Sequence, residues 1–565
     1  MSDSSLKKAM DFLENETQFH LGFLPTEQSS PLTRTLDQDF ARSSVNGVKS
    51  LQRVDRNVLA MARRVFPSKE YARLVEGGER TLRSGGRIVF SGCGATGRLS
   101  ILLESMWREC CAEHAGLKPY ADQVFSIMTG GDYALVKSVE SFEDYAQFGR
   151  RQVREMGMGK GDLLVAITEG GETSSVLGTV LEALDRGSEA FLMFNNPADL
   201  LAEHLERSRK VIQDPRVCVL DLSCGPMALA GSTRMQATTS EQLLAGCALE
   251  AMADRLLGRK TADPAAAFAD LLDSLESDDS RTALAAMIDF EAGIYRKKGL
   301  VTYFADACML DIFTDTTERS PTFMLPPFRK KDDTVSPPSW VFVKNPLCTT
   351  DEFWDRELRR PLRCLNWTKK DYAELDAPVR IQENPPRIGK EDLLKFEVGK
   401  EAPEARSITG RDAAILITVG SSPEVGTLTE AFEKIRSVFP ISRHLSIGGR
   451  GSADFHISCT YPETPLHLLE HLAVKLVLNT ISTGVMAVLG RITGNWMSWV
   501  DISNKKLVDR ATRLIAEIGG IDYRSACIRL FEAEEELEAS FRPGEERPSV
   551  VQYVLGQLKK KEETR

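Results

Sequence analysis

The sequence lacks the features that would place it in a membrane, outside the cell or on nucleic acid. No run of about 18 uncharged apolar residues occurs, and residues 1–18 are polar, so we expect neither a membrane span nor a secretory signal. The net charge of −10 argues against nucleic-acid binding, which depends on clustered Lys and Arg side chains. The sequence therefore predicts a cytoplasmic globular protein.

Metal and disulfide signatures are also scarce. The 11 cysteines are scattered without C-x-x-C spacing, which argues against a disulfide framework and a zinc ribbon. The stretch 467–471, HLLEH, has the H-x-x-E-H spacing of a class of zinc proteases. Zinc needs a third protein ligand, and no further ligand lies nearby in the sequence. We therefore expect no metal and no cofactor.

Predicted strands and helices alternate in both halves of the 565-residue chain, as in parallel sheets with crossover helices. Residues 299–313 and 413–435 repeat the pattern of residues 86–102 and 161–184, which indicates an internal duplication. We predict an α/β protein with two domains, each a parallel sheet flanked by helices in a flavodoxin-like three-layer sandwich. The predicted divisions are an N-terminal segment (1–45), a first domain (46–265), a second domain (266–505) with an irregular Pro-rich excursion (about 326–411), and a C-terminal helical region (506–565).

The glycine loop GCGATGR at 92–98 lies between a predicted strand and a predicted helix. Its G-x-G-x-x-G spacing suits a dinucleotide fold, but the acidic residue expected at the end of the second strand is missing, since Asp132 lies too far on. A monophosphate instead binds hydroxyls and backbone N–H groups at a helix N-terminus. The predicted phosphate-binding residues are Gly94, Ala95, Thr96, Gly97 and Arg98.

Two further loops in the first half carry hydroxyl side chains after predicted strands. One is TEGGETSS at 168–175, and the other is GSTRM at 231–235. A single loop of this kind is usually only a turn, but three in one α/β half favour a shared anion site. The candidate binding residues are Thr168, Glu169, Gly170, Thr173, Ser174, Ser232, Thr233 and Arg234.

These motifs, with the GGD turn at 130–132, ESFED at 140–144, KLVLNTISTGVMAVLGRITGN at 475–495 and ISNKKLVDRA at 502–511, resemble sugar isomerase (SIS) domains. More narrowly, they resemble the N-acetylmuramic acid 6-phosphate etherases and the glucokinase regulatory proteins, and the two halves resemble the tandem of the latter. The resemblance implies a phosphosugar-binding protein that is either an etherase-type carbon–oxygen lyase or a non-catalytic sugar-phosphate sensor. The implied partners are a small sugar phosphate and either a protein such as a sugar kinase or a second copy of the chain.

The resemblance also implies one site shared by the two halves. In the etherases the GSTRM-type loop runs into a helix carrying KLVLN, whereas here the first half keeps the loop and has Gln242 in place of the lysine. The second half keeps Lys475 but has neither the GSTRM-type loop nor the glycines of the phosphate loop. We therefore expect Lys475 to complete a site built by the first half, the alternative being a solvated lysine. His471 shares its helix face, either as a ring-opening group or as a hydrogen-bonded interface residue.

Etherase chemistry needs a base next to the sugar carbonyl and an acid at the departing oxygen. The resemblance places the base at Glu143, with Glu140 as a binding residue in the same Glu-x-x-Glu-Asp pattern. The family's acid aligns with Met106, which cannot donate a proton. Residues 315–323 resemble the family's acid segment, so Glu318 is the candidate acid from the second half, the alternative being a solvated carboxylate.

Overall fold

The computed structural model describes residues 3–401, 408–420, 425–449, 452–542 and 544–563; the side chains of residues 3, 140 and 561–563 lie outside the description. Within these residues, ten strands form two parallel five-stranded sheets. The strands of the first sheet are β1 (Ile88–Gly92), β2 (Val124–Met128), β3 (Leu163–Ile167), β4 (Glu189–Phe194) and β5 (Val217–Asp221). Those of the second are β6 (Val301–Phe304), β7 (Val341–Lys344), β8 (Ala413–Val419), β9 (Ile441–Ile447) and β10 (Phe455–Ile457).

Helices cover both faces of each sheet and form the two ends of the chain. The helices of the first half are α1 (Asp3–Asn15), α2 (Leu36–Arg42), α3 (Ser44–Val65), α4 (Lys69–Arg83), α5 (Ala95–Glu113), α6 (Ala146–Met156), α7 (Ser174–Asp185), α8 (Ala198–His204), α9 (Glu206–Ile212) and α10 (Gln236–Leu256). The remainder are α11 (Pro264–Leu275), α12 (Asp278–Arg296), α13 (Met309–Phe323), α14 (Thr350–Leu358), α15 (Lys369–Glu374), α16 (Val379–Glu383), α17 (Lys390–Leu393), α18 (Val425–Arg436), α19 (Leu468–Val488), α20 (Lys505–Gly519), α21 (Tyr523–Ser540) and α22 (Val550–Glu563). Short 3-10 turns lie at Thr17–Phe19, Pro25–Glu27, Ala115–Gln123, Asp132–Leu135 and Glu140–Phe142.

The two sheets have the same topology. The first has the order β2-β1-β3-β4-β5, and the second, taken from its β7 edge, has the order β7-β6-β8-β9-β10. This is the doubly wound flavodoxin order, in which ligands bind beyond the carboxyl ends of the strands where the strand order reverses. The strands β1, β3 and β8 are buried throughout, as parallel strands covered on both faces must be. The predicted α/β fold with two parallel sheets is confirmed.

The region 326–411 is more regular than the irregular excursion that the sequence predicted. It supplies strand β7, which pairs with β6 along its whole length, and the helices α14 to α17. It also packs on the first half, because Arg360 donates two hydrogen bonds to Asp132 at 2.7 and 2.8 Å and Arg363 pairs with Glu104. The charged and Pro-rich composition that suggested a loop instead serves contacts between the halves.

The two ends of the chain pack together beside the carboxyl edge of the first sheet. Helix α1 contacts α21, and the buried carboxylate of Glu27 pairs with Arg510 and Arg513 of α20 at 2.6 and 2.7 Å. Asn196, which follows β4, donates to the Thr26 hydroxyl at 3.0 Å. Residues from both termini therefore border the edge where the predicted site lies.

Among the described residues, α19 is the one helix whose length and apolar composition would allow it to cross a bilayer. Its apolar window is 89% buried inside the protein, where it packs on α12, α13 and α10. It is the central core helix of the second half.

Candidate functional site

The glycine loop leaves open space at the N-terminus of α5. A Cβ added to Gly92 would lie 2.4 Å from the Thr96 backbone, and one added to Gly97 would lie 2.7 Å from Met128 Cγ, so both positions need glycine for close packing. Gly94 has φ +58° and no neighbour within 4 Å of the position of its missing Cβ. Because helix N-termini attract anions, binding of a phosphate at this opening remains the prediction for the loop.

Two predicted phosphate ligands of this loop use their polar atoms inside the protein. The Thr96 hydroxyl accepts from Cys93 N at 3.0 Å and donates to Cys93 O at 2.9 Å. Arg98 is 1% exposed, donates to Ala134 O at 2.8 Å, and pairs with Glu318. Their contact with a phosphate remains a prediction, and the structure gives both a role in holding the loop.

The second loop places a proton-carrying carboxyl group at the end of β3. Thr168 donates to the Thr173 hydroxyl at 3.1 Å, and half-buried Ser174 begins α7. Between them, burial raises the pKa of Glu169 to about 7, against the opposing effect of Lys506. Thr238 donates to a Glu169 oxygen at 3.4 Å. Glu169 therefore carries a proton for a substantial fraction of the time at neutral pH.

The third loop, GSTRM, presents one hydroxyl that is ready for a ligand. Ser232 is 3% exposed, and its Oγ has no hydrogen-bond partner among the described residues. Thr233 is half-buried, whereas Arg234 points into the second half and pairs with Asp315 at 2.8 Å. A buried hydroxyl without a partner is costly, so Ser232 is the strongest ligand candidate in this loop.

Lys506, on the first turn of α20, is a site residue that the sequence argument missed. Its Nζ lies 3.5 Å from Glu143 Oε1 and 3.9 Å from Glu172 Oε1. Burial lowers the pKa of Lys506, but the two carboxylates outweigh it and raise the pKa above its usual value. Asn504 donates to Glu143 at 2.7 Å from the same segment. The family motif ISNKKLVDRA contains the signal, but Lys506 is not among the residues that the sequence predicts for the site.

The two other predicted carboxylates differ in their placement. The backbone of Glu140 begins a 3-10 turn, and its side chain lies outside the described residues. Glu318 of α13 reaches the first half as expected, where its carboxylate is engaged by Arg98. The site is therefore approached by both halves, but Glu318 already has a cation partner.

Lys475 reaches the GSTRM loop from the second half. Its Nζ donates to Arg234 O at 2.9 Å, Thr239 Oγ1 at 2.8 Å and Asn479 Oδ1 at 3.0 Å. Burial, with the nearby charge of Arg234, lowers the pKa of Lys475 to about 7. A cavity of 10 Å³ beside it has room for about one water. Contact of Lys475 with a sugar remains a prediction, since its protons are used within the protein.

His471 and the position that replaced the family lysine meet at one carboxylate. His471 Nδ1 lies 2.5 Å from Asp311 Oδ2, and Gln242 donates to Asp311 Oδ1 at 3.3 Å. His471 thus faces α13 of its own half, and its contact with a sugar likewise stays a prediction.

Comparisons with known proteins agree with this architecture. Residues 69–184 match the family model of the glucokinase regulatory protein N-terminal SIS domain. An N-acetylmuramic acid 6-phosphate etherase of Synechococcus sp. (strain CC9902) is 32% identical over 261 residues, which is 45% of this chain and 74% of that enzyme. N-acetylmuramic acid 6-phosphate etherase 1 of Bacillus licheniformis is 28% identical over 225 residues, 40% of this chain and 67% of that one.

Among solved structures, tagatose-6-phosphate ketose/aldose isomerase from Escherichia coli aligns with 81% of this chain and 96% of its own, at 11% identity and a TM-score of 0.45. The regulatory-protein SIS match and the coverage of the Synechococcus etherase confirm the resemblance. The chain belongs to the SIS-domain family of the N-acetylmuramic acid 6-phosphate etherases, and its residues 69–184 match the N-terminal SIS domain of glucokinase regulatory proteins.

Proposed function

We propose that the protein binds an amino-sugar 6-phosphate at the carboxyl edge of the first sheet. The open N-terminus of α5 at Gly94 and the unpartnered hydroxyl of Ser232 offer donors for phosphate oxygens. The charged ammonium of Lys506 lies at the same edge, where it can add a charge-assisted hydrogen bond. The names of the etherase relatives support this class of ligand.

The bound sugar is then cleaved by an etherase-type elimination. Glu143 removes the proton next to the carbonyl of the open-chain sugar, and a protonated carboxyl group protonates the departing lactyl oxygen. Water then adds across the new double bond. Glu143 is held by Asn504 and Lys506, which orient its carboxylate for this task.

The observation that best supports an acid and a base at this edge is that two of its carboxyl groups have different surroundings. Glu143 faces a cation, whereas burial raises the pKa of Glu169 to about 7, so Glu169 can donate a proton at neutral pH. Glu318 is the weaker candidate for the acid, because Arg98 already engages its carboxylate. We assign the acid to Glu169.

A non-catalytic sugar-phosphate sensor is the second candidate function. Met106, which aligns with the family's acid, is 2% exposed and belongs to the hydrophobic core. The match to the glucokinase regulatory protein domain favours the same function. In that case the bound sugar phosphate would control association with a partner protein such as a sugar kinase.

Release of lactate from N-acetylmuramic acid 6-phosphate by the purified protein distinguishes the two functions. The lyase releases lactate, loses activity in Glu143→Gln and Glu169→Gln, and loses activity as pH rises above about 7, because Glu169 then loses its proton. The matched variant Glu318→Gln tests the other acid. Saturable binding of N-acetylglucosamine 6-phosphate without lactate release would rule out the lyase and support the sensor function. If the protein neither binds the sugar phosphate nor releases lactate, both proposals are overturned.

A further inference from the structure

A cluster of three potential metal ligands lies at the carboxyl edge of the second sheet. One ligand atom each from Cys308, Asp311 and His471 lies within 4.8 Å of the other two. Cys308 caps the N-terminus of α13, Asp311 is in its first turn, and His471 is in the first turn of α19. Thiolate, carboxylate and imidazole are the ligands that Zn²⁺ prefers, and around a tetrahedral ion they lie about 3.5 Å apart.

The sequence predicted no metal because no further ligand lies near the H-x-x-E-H stretch, but the fold brings ligands together from distant parts of the chain. Asp311 is 160 positions away from His471, so no local spacing could join them. The other residues of the H-x-x-E-H stretch point elsewhere, because His467 lies 3.5 Å from Glu113 and Glu470 accepts from the Tyr461 hydroxyl at 3.2 Å. The ligand set is therefore unrelated to the protease motif, of which only His471 takes part.

We propose that Cys308, Asp311 and His471 bind one Zn²⁺ ion. The ion replaces the proton between His471 Nδ1 and Asp311 Oδ2, which are 2.5 Å apart, and displaces the thiol proton of Cys308. Gln242 of the first half donates to the other Asp311 oxygen at 3.3 Å and so orients the carboxylate. Such hydrogen bonds behind the ligands are typical of metal sites.

A large acidic cleft gives the ion a route to the cluster and space for a fourth ligand. The cleft has a volume of 760 Å³ and is lined by Cys308 and His471. Five carboxylates line it, those of Glu109, Glu113, Asp306, Glu463 and Glu470, beside Glu357, whose pKa burial raises to about 8. Two guanidinium groups, of Arg356 and Arg359, oppose them, so the lining favours cations.

The cleft occupies, in the second half, the place that the predicted phosphosugar site occupies in the first. It lies beyond the ends of β6, β8 and β9, next to Cys308, Gly420 and Gly448. Three protein ligands and an open position are the arrangement of zinc sites that accept a water or a substrate. The half that lost its phosphate loop would thus carry a metal site at the corresponding edge.

Zinc titration of the metal-stripped full-length protein tests the proposal, with a chromophoric chelator as competitor. We expect one Zn²⁺ per chain, with an affinity about a hundredfold lower in Cys308→Ser and in His471→Gln. Cys459→Ser and His467→Gln are matched controls, because these side chains line the same cleft outside the cluster and should leave the affinity unchanged. No zinc binding, or equal binding by Cys308→Ser, would overturn the proposal.

A second measurement uses only the wild-type protein and so does not depend on whether a variant folds. With Co²⁺ as the probe, the wild-type protein should show a thiolate-to-cobalt charge-transfer band and the intense ligand-field bands of a tetrahedral site. A bound cobalt ion without the thiolate band would show that Cys308 is not a ligand and would overturn the assignment.

Discussion

The change Lys506→Met removes the ammonium group that contacts Glu143 and Glu172 at the first-half edge. The side chain keeps its length and apolar stem, so packing at the start of α20 changes little. Its amine lies 3.5 Å from Glu143 and 3.9 Å from Glu172, and the side chain is 23% exposed. Two unit charges at 3.5 Å attract by about 5 kcal/mol at an effective dielectric constant of 20, before desolvation is subtracted.

The expected loss in phosphosugar binding is smaller than this attraction. A hydrogen bond to a charged group contributes about 1.5 to 3 kcal/mol net, because water solvates the same groups in the free state. Lys506→Met should therefore raise the Kd for N-acetylglucosamine 6-phosphate roughly tenfold to a hundredfold. Removing the ammonium group also leaves the negative charge of Glu143 and Glu172 less neutralised beside the phosphate, which adds to the loss.

Isothermal titration calorimetry measures this change, and the neighbouring lysine provides the control. Lys505 pairs with Glu16 at 2.5 Å and is 47% exposed, away from Glu143. Lys505→Met should bind the sugar phosphate as the wild type does. An unchanged Kd in Lys506→Met, or the same weakening in both variants, would refute the placement of Lys506 in the site.

Three further predictions concern the supports of this site. Arg510 and Arg513 outweigh the effect of burial and lower the pKa of Glu27 to about 2. The ionised carboxylate therefore contributes about 3 kcal/mol to the free energy of unfolding above pH 4.5, and this contribution is lost as pH falls towards 2. Urea unfolding of Glu27→Gln should lack that part of the acid dependence, and an identical pH profile would contradict it. Asp315→Asn leaves the buried Arg234 without its counter-ion and should lower the free energy of unfolding by about 3 to 5 kcal/mol in the same assay. Gly94→Ala must adopt φ +58° with ψ −126°, which only glycine adopts readily, so it should lower thermal stability by more than the about 1 to 2 kcal/mol expected for Gly157→Ala at an αL position outside the site, and only Gly94→Ala should weaken ligand binding.

The sequence predicted the strands and loops of the site better than the directions of their side chains. The glycine loop and the buried strand before it follow from local pattern, as does the helix after it. Arg98 could not be placed in this way, because its direction depends on Glu318, 220 positions away. The same limit applies to Lys506, whose partner Glu143 lies on another part of the chain.

Composition misled the prediction where charged residues serve contacts between the halves. Pro and Arg residues between 326 and 411 suggested an irregular loop, but Arg360 pairs with Asp132 in the buried contact between the halves. An isolated stretch of sequence shows the charge of such a residue, whereas the partner that neutralises it is known only from the fold. The domain boundaries drawn from composition remain predictions.

The number of phosphosugar sites per chain tests the central claim most directly. Two sheets of identical topology offer two carboxyl edges, but only the first is followed by the glycine loop GCGATGR and the loop GSTRM in the sequence. Calorimetric titration of the full-length protein with N-acetylglucosamine 6-phosphate should give one site per chain, whose affinity falls in Lys506→Met. Two equivalent sites per chain, or one site that Lys506→Met leaves unaltered, would contradict the account.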